Sequence, residues 1–402
     1  MRDGWRETAL GQVATATTSQ VPAATSGLPY YGLEHFDSGS PRISRSGDSA
    51  AMDGPGVTVS PGDVLFSKLR PYLNKVAVAG ESAVASTEVL VYRPVTTELD
   101  ASYLALLLRD ARAVDYAVAR SAGSRMPRTS AKVMAELPIA LPPLDEQRRI
   151  VDLIAAVDDA VDAAEAEAGA TLSLLQAALD VHLDQAESMR SIADIALQPR
   201  GLVGGPFGSS LISADYRDTG VPIIRGTNMP GFLGTYVGGD FAFVDPSKAD
   251  ALSGNLALPG DVVFTQRGTI GQVGMVPDDE HSRYVVSQSQ MRLRVDPALS
   301  TPEYVRFVFT APAMVSALRA QDRATANPHI NLGVLAKTEV PVPPLHVQDA
   351  LVSDWGALQS AAEAARATAN ALRALRSNLL TVLLSGEHEI PSSYDVLLEE
   401  VA

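Results

Sequence analysis

The 402-residue chain has no cysteine, which excludes disulfides, thiolate metal sites and cysteine nucleophiles together and fits a reducing, cytoplasmic setting. Its six histidines are scattered, with no HExxH pattern among them, so no metal-ligand spacing is present. No run of eighteen apolar residues occurs, and the opening MRDGWRETALGQVATATTSQ lacks the charged-then-apolar order of a leader. Neither secretion nor membrane spanning is therefore expected. Catalytic motifs are missing as well. There is no NPPY- or DPPY-type methyltransferase string, no FxGxG cofactor loop, no P-loop lysine after the glycines of Gly204–Ser210 and no GxSxG elbow. The nearest string, Asn327-Pro-His-Ile330, lacks the second proline and the aromatic residue. A carboxylate nuclease site scattered through the chain is beyond the reach of a motif search.

Positive charge is scarce too, with 32 Lys and Arg against 47 Asp and Glu, a net charge of −15. Phosphate contacts are built from Lys and Arg, so this balance argues against a nucleic-acid partner until its distribution is considered. Residues 145–190 carry −8 and residues 385–402 carry −5, while residues 1–144 are balanced and residues 191–384 carry −2. The acidity is thus local, and the rest of the chain is free to build a basic face.

What the chain does contain is a duplication. Residues 136–183 begin ELPIALPPLDEQRRI and continue with apolar residues at Ile150, Ile154, Val157, Val161, Ala164, Ala168, Thr171 and Leu175. That alternation of four and three is the seam of a long helix pairing with another helix. Shifting Leu141-Pro-Pro-Leu144 and Gln147 by 201 residues gives Val342-Pro-Pro-Leu345 and Gln348, and the seam maps onto Leu351, Trp355, Leu358, Ala362, Ala365, Ala369 and Leu372. The same offset relates Pro127 to Pro328 and Tyr103 to Tyr304, and an offset of 198 relates Gly62-Asp-Val-Leu-Phe66 to Gly260-Asp-Val-Val-Phe264. A repeat of half the chain is a duplicated domain, not a solenoid.

Domain, long helix, domain, long helix, with the LPPLDEQRRI start, its VPPLHVQ copy, the two GDV-hydrophobic-Phe strands and the GPFGSSL segment, resembles the specificity subunit of type I restriction-modification systems over nearly the whole chain. The resemblance implies an α+β fold. Two α/β target-recognition domains (1–140 and 189–341) alternate with two long helices (141–188 and 342–386) that form an antiparallel coiled coil with pseudo-twofold symmetry, and an acidic, loosely ordered tail (387–402) follows. It also implies double-stranded DNA as a partner, each domain reading one half of a split target, together with two modification subunits and the restriction subunits. S-adenosylmethionine, ATP and magnesium would belong to those partners, with no cofactor and no catalytic or metal site in this chain.

Candidate DNA contacts follow from side-chain chemistry in polar loops, since Arg and Lys neutralise phosphate or pair with guanine and Asn and Gln pair with adenine. In the first domain they are Arg42 and Arg45 in PRISRSGDS, then Lys68, Arg70, Asn74 and Lys75 after a strand–turn–strand over 57–66, and Arg125 and Arg128 in the loop before the long helix. The second domain offers Arg225 and Asn228 after a short strand, Gln266, Arg267, Thr269 and Gln272 where the lysines stood, then Gln288, Asn327, His329 and Asn331. Each of these is also compatible with an ordinary solvated loop. Ser102–Val118 is expected to be one amphipathic helix, Gly204–Ser210 a loop fixing the first turn of the second domain, and Arg366, Arg373 and Arg376 to lie on the outer side of the second long helix. Two other readings stay open. One is a coiled-coil scaffold, which explains the helices and the acidity but not two duplicated domains with diverged loops, and the other is the DNA-recognition subunit of a related phage-defence system built on the same subunit.

Overall fold

A computed structural model describes the chain apart from residues 1–3, 18, 26, 40, 42, 44, 53, 322–328, 392 and 395–402. It divides into two compact units, 1–162 with 369–402 and 163–368. The boundaries read from the sequence put each long helix in a segment of its own, whereas each compact unit takes one of the two α/β domains plus part of both long helices. No described helix is long and apolar enough to cross a membrane.

The first unit is built on a four-stranded antiparallel sheet of β1 (Ala14–Ala16), β2 (Val64–Ser67), β3 (Val76–Val78) and β4 (Val89–Pro94), in the order β1-β4-β2-β3. The GDV-hydrophobic-Phe string encodes β2 and the turn before it. Gly62 takes φ +84°, a region that favours glycine. Asp63, 2% exposed, accepts from Ser60 N at 2.8 Å and is gripped by Arg93 through Nε and Nη2, both at 2.9 Å. The strand then alternates between two cores, with Val64 and Phe66 packing with Tyr103 and Leu104 while Leu65 joins Val57 and Val91.

Over this sheet pack α1 (Ala101–Arg109) and α2 (Ala111–Ala119). The single helix expected over 102–118 is thus broken. Asp110 takes an extended φ,ψ of −63°, 144° and caps the second piece by accepting from Arg112 N at 3.1 Å, as Asp100 caps the first from Ser102 N at 2.8 Å. A short α3 (Ala131–Ala135) follows, and then α4 (Leu144–Asp184), a helix of 41 residues.

The second unit repeats this plan. Its sheet of β5 (Leu202–Gly204), β6 (Val262–Thr265), β7 (Val273–Met275) and β8 (Gln290–Leu293) has the order β5-β8-β6-β7. Register is preserved with order, since Val64 opposite Tyr92 becomes Val262 opposite Leu293. Gly260 again takes φ +84°, and Asp261 accepts from Leu258 N at 2.8 Å and from Arg294 at 2.8 and 2.7 Å. Beside each of these sheets lies a mixed one containing a single parallel pair, Pro29–Tyr31 with Ala83–Ala85 in the first unit and Val221–Ile224 with Tyr284–Val286 in the second. Helices α5 (Pro302–Thr310), α6 (Pro312–Ala320), α7 (Leu332–Lys337) and the 41-residue α8 (Leu345–Ser385) complete the repeat.

The glutamine of each LPPL/VPPL motif explains why proline and glutamine recur together. Gln147 is fully buried; its Oε1 accepts from Asp100 N at 2.8 Å, and its Nε2 donates to Glu98 O at 2.8 Å and Pro142 O at 2.9 Å. Gln348 is equally buried and does the same with Thr301 N, Leu299 O and Pro343 O at 3.1, 2.9 and 2.8 Å, adding Ser300 Oγ at 2.7 Å. Each clip ties the start of a long helix to the loop that launches α1 or α5. The expected seams are buried at Ile150, Ile154, Val161, Ala164, Ala168 and Leu175 in α4 and at Trp355, Ala362, Ala365 and Ala369 in α8, and half-buried at Val157, Thr171, Leu351, Leu358 and Leu372.

Within each unit the two long helices run antiparallel. Asp158 of α4 meets Arg376 of α8 in the first unit, and His182 of α4 meets Trp355 of α8 in the second. Arg376 therefore does not lie on the outer side as expected, because Asp158 draws it across the helix pair, with Nη2 to Oδ2 at 3.0 Å. Nor is all of the acidic tail loose, since Ile390 is buried and Tyr394 packs against the core of the first unit.

Candidate nucleic-acid interface

Three loops meet at one end of the main sheet in each unit, and the same backbone hydrogen bonds join them. In the first unit Lys68 N donates to Glu88 O, Thr129 N to Lys68 O and Arg70 N to Pro127 O, at 3.0, 3.0 and 2.7 Å, with Leu69 bridging Arg128. In the second, Gln266 N donates to Ser289 O at 2.7 Å and Ile330 N to Gln266 O at 3.0 Å, with Arg267 bridging His329. The offsets of 198 and 201 found in the sequence relate the Lys68–Glu88, Lys68–Thr129 and Leu69–Arg128 pairs to those of the second unit, while Pro328, which matches Pro127, lies outside the described residues. A single clasp thus carries Lys68, Leu69 and Arg70 in one unit and Gln266, Arg267 and Gly268 in the other.

Many of the candidate side chains hold this frame together. Asn74, at φ +48°, donates to Arg109 O at 2.9 Å, its own carbonyl accepts from Gly39 N at 3.2 Å, and Arg109 closes the triangle by donating to Gly39 O. Burial, with the like charge of Arg376 nearby, lowers the Arg109 guanidinium to about 10 against the opposing pull of Asp158, leaving it charged at neutral pH. Lys75 donates to Leu33 O at 2.7 Å, Arg128 to Glu88 at 3.0 Å and Arg45 to Glu34 O at 3.1 Å.

In the second unit, Asn228 is 2% exposed and spends its amide on Gly238 O and Asp240 O, while Arg225 donates to the same Asp240 O at 2.8 Å. Gln272 accepts from Thr265 Oγ1 at 3.4 Å, Gln288 donates to Gly208 O and Leu211 O, and Asn331 caps α7 by accepting from Val334 N at 2.9 Å, as Ser130 caps α3. Arg42 and Asn327 lie outside the described residues.

The other candidate side chains are exposed or half-buried. Arg70 and Arg125 are exposed and Lys68 is half-buried in the first unit; Arg267, Thr269 and His329 are exposed and Gln266 is half-buried in the second. Arg70 is presented from a left-handed backbone, φ +51°, which only a well-tied loop retains. Two aromatic residues on these faces escaped the reading of the sequence, which looked for charge and amides. Tyr72 is 53% exposed in the first unit's loop, and Phe207, 87% exposed, stands in the glycine-rich segment expected only to fix a turn. A cationic head beside polar and aromatic ones, on a rigid frame, is the mixture with which proteins read duplex DNA.

Comparison with known proteins agrees. The family model for the type I restriction modification DNA specificity domain matches residues 3–169 and 238–353. The EcoDI type I specificity subunit of Escherichia coli is 30% identical over 90 residues, 22% of this chain and 20% of that protein, so the aligned stretch spans about a fifth of the relative. Among solved structures, one from work on complex assembly and conformational transition of the type I R-M system covers 95% of this chain and 98% of its own at a TM-score of 0.65 and 20% identity. The HsdS subunit from Thermoanaerobacter tengcongensis covers 96% and 98% at a TM-score of 0.51 and 20% identity. The type I S subunit from M. genitalium covers 94% and 96% at 0.56 and 11% identity. At these identities the likeness is one of fold. With the family model spanning more than half of the sequence, the chain belongs to the type I restriction-modification DNA specificity family.

Proposed function

We propose that this chain is the non-catalytic reading subunit of a cytoplasmic type I restriction-modification complex, each unit reading one half of a bipartite duplex target. The observation that carries this reading is the clasp: one backbone frame, repeated, with different heads in its two copies. Reading two different half-sites requires that difference. A scaffold has no use for it.

The long helices contribute to both units, which supports a role in setting the unread gap between half-sites. The acidic outer surface of α4 would be repelled by DNA and suits a protein partner. Two modification subunits are assigned there, with S-adenosylmethionine, and the restriction subunits with ATP and magnesium join them for cleavage. Replacing residues 1–130 with the matching part of a relative and mapping methylated sites in cells carrying the whole system tests the division. One half-site should change. If both halves changed, the two units would not read separately.

A further inference from the structure

We infer that Phe207 reads the 5-methyl group of a thymine in the half-site assigned to the second unit. The inference rests on the reading of the clasp as a DNA interface and adds an apolar reader to it. Its starting point is exposure, since the ring is 87% exposed whereas no other large apolar side chain among the described residues exceeds 57%. A lone surface hydrophobe needs no explanation by itself. This one is held out by a frame built for the purpose.

Upstream of the ring, Gly204 O accepts from Asn255 Nδ2 at 2.7 Å and Gly205 N donates to Gln290 O at 3.0 Å. Downstream, Gln288 Nε2 donates to Gly208 O at 3.3 Å and Leu211 O at 3.2 Å, and Ser210 N donates to Phe207 O at 3.1 Å. Gly205 lies so close to the next loop that a Cβ there would sit 1.9 Å from Ser287 O, and Gly208 takes φ +56°. The glycines thus serve to press the segment onto the Ser287–Ser289 turn and bend it with the ring outermost.

That same turn holds the clasp. Ser289 O accepts from both Gln266 N and Arg267 N, at 2.7 and 3.2 Å. Phe207 therefore shares a rigid anchor with an exposed guanidinium and an amide. In the major groove arginine suits guanine, glutamine suits adenine, and the thymine methyl is the one apolar group on a base edge, for which a phenyl ring is an apt contact. The three heads together cover three kinds of base edge.

The test uses the full chain assembled with its two modification subunits and a duplex carrying the target found by methylation mapping. Each thymine of the second half-site is replaced in turn by deoxyuridine, which removes only the methyl. The wild-type complex should lose about fourfold in affinity at one position, the worth of burying a group of that size. Phe207→Ala should bind the thymine duplex about fourfold less tightly and lose less than twofold further on the same replacement, with its thermal unfolding unchanged. Phe207→Leu, which keeps apolar surface, guards against a fault in the alanine variant and should retain part of the methyl dependence.

Arg267→Ala in the same assay separates the two levels of the argument. If it relaxes selectivity in this half-site while no deoxyuridine replacement depends on Phe207, the thymine inference is overturned and the interface stands. If neither variant alters selectivity, the interface reading fails first. Loss of assembly with the modification subunits in Phe207→Ala and Phe207→Leu, with DNA preference intact in the complex that remains, would overturn the inference by showing the ring to be a protein contact.

Discussion

The two units differ least where hydrogen bonds between backbone groups join the loops and most where side chains leave that frame. Lys68 and Gln266 occupy the same position and make the same two backbone bonds, yet one ends in an ammonium and the other in an amide. The first unit offers Lys68, Arg70 and Arg125, the second Gln266, Arg267 and Thr269. Frame and head are therefore separable, and in the function proposed above a new specificity needs only new heads. The comparison also sorts residue types. Short amides close to the backbone, Asn74, Asn228 and Asn331, are absorbed into the frame, whereas several long cationic side chains reach beyond it.

The strongest claim in this comparison is that the frames are equivalent, and the glutamine clips test it hardest. Gln147→Leu and Gln348→Leu keep the volume but strand a buried backbone N–H and two carbonyls in each case. Each stranded group costs about 1–3 kcal/mol, so either variant should lose roughly 3–5 kcal/mol in urea unfolding. A large loss from one variant with none from the other would break the equivalence.

The next test concerns the parts the units share. One heptad inserted in each long helix, after Ala164 and after Ala365, keeps both seams in phase and lengthens each helix by about 10 Å. At about 3.4 Å per base pair the unread gap should widen by up to about three base pairs, with both half-sites unchanged. Methylation mapping reads this directly. An active variant that kept the parental gap would remove the helices from the measurement.

Much of this frame was legible in the sequence because it is repeated. The offset of 201 located both helix starts, both seams and the loops before them, since residues that tie elements together recur in both copies. Why glutamine follows the prolines was not legible, because its three backbone partners lie nearly fifty residues upstream or five residues back. The break at Asp110 was hidden by apolar residues that keep helical spacing on both sides of it. The interface was harder still. Charge and amide chemistry named, among others, the loops that the clasp joins, but whether a head such as Asn228 points outward or back at Gly238 O depends on where the chain turns, which composition does not encode. Phe207 was overlooked for the opposite reason, as aromatic residues are expected inside.

The contrast between heads predicts two kinds of effect from equally sized truncations. Arg267→Ala should cost about 1–3 kcal/mol of discrimination at one base pair. Lys68→Ala and Arg70→Ala, heads of the cation-rich face, should weaken binding to all sequences alike and each reduce the dependence of log affinity on log salt by roughly one. Binding selections at two salt concentrations distinguish the cases. Base-specific loss from Lys68→Ala or Arg70→Ala would show that the first unit reads with its cations as the second does.

The smallest difference predicted lies away from DNA, where α4 ends. His182 Nε2 is 2.6 Å from Tyr304 OH, and its ring meets Trp355 edge-on at 5.2 Å. Tyr304 has one hydroxyl hydrogen and donates it to Pro341 O at 3.0 Å, so His182 must be the donor in the first contact, which fixes its neutral form as the Nε2–H tautomer. Burial lowers the pKa of this imidazole below its ordinary value. The folded second unit therefore takes up the proton less readily than the unfolded chain does. The resulting stability is complete above the ordinary histidine value near 6.5 and declines as pH falls through it. In the first unit the matching position is Leu383, 2% exposed, with Tyr103 still donating to Ala140 O at 3.2 Å, and it has no such proton to take up. Hydrogen exchange at about pH 7.5 and pH 5.5 should show protection falling around α5 on acidification. His182→Leu, which makes the second unit resemble the first, should flatten that difference. Acid sensitivity that persisted in His182→Leu would have to come from another group.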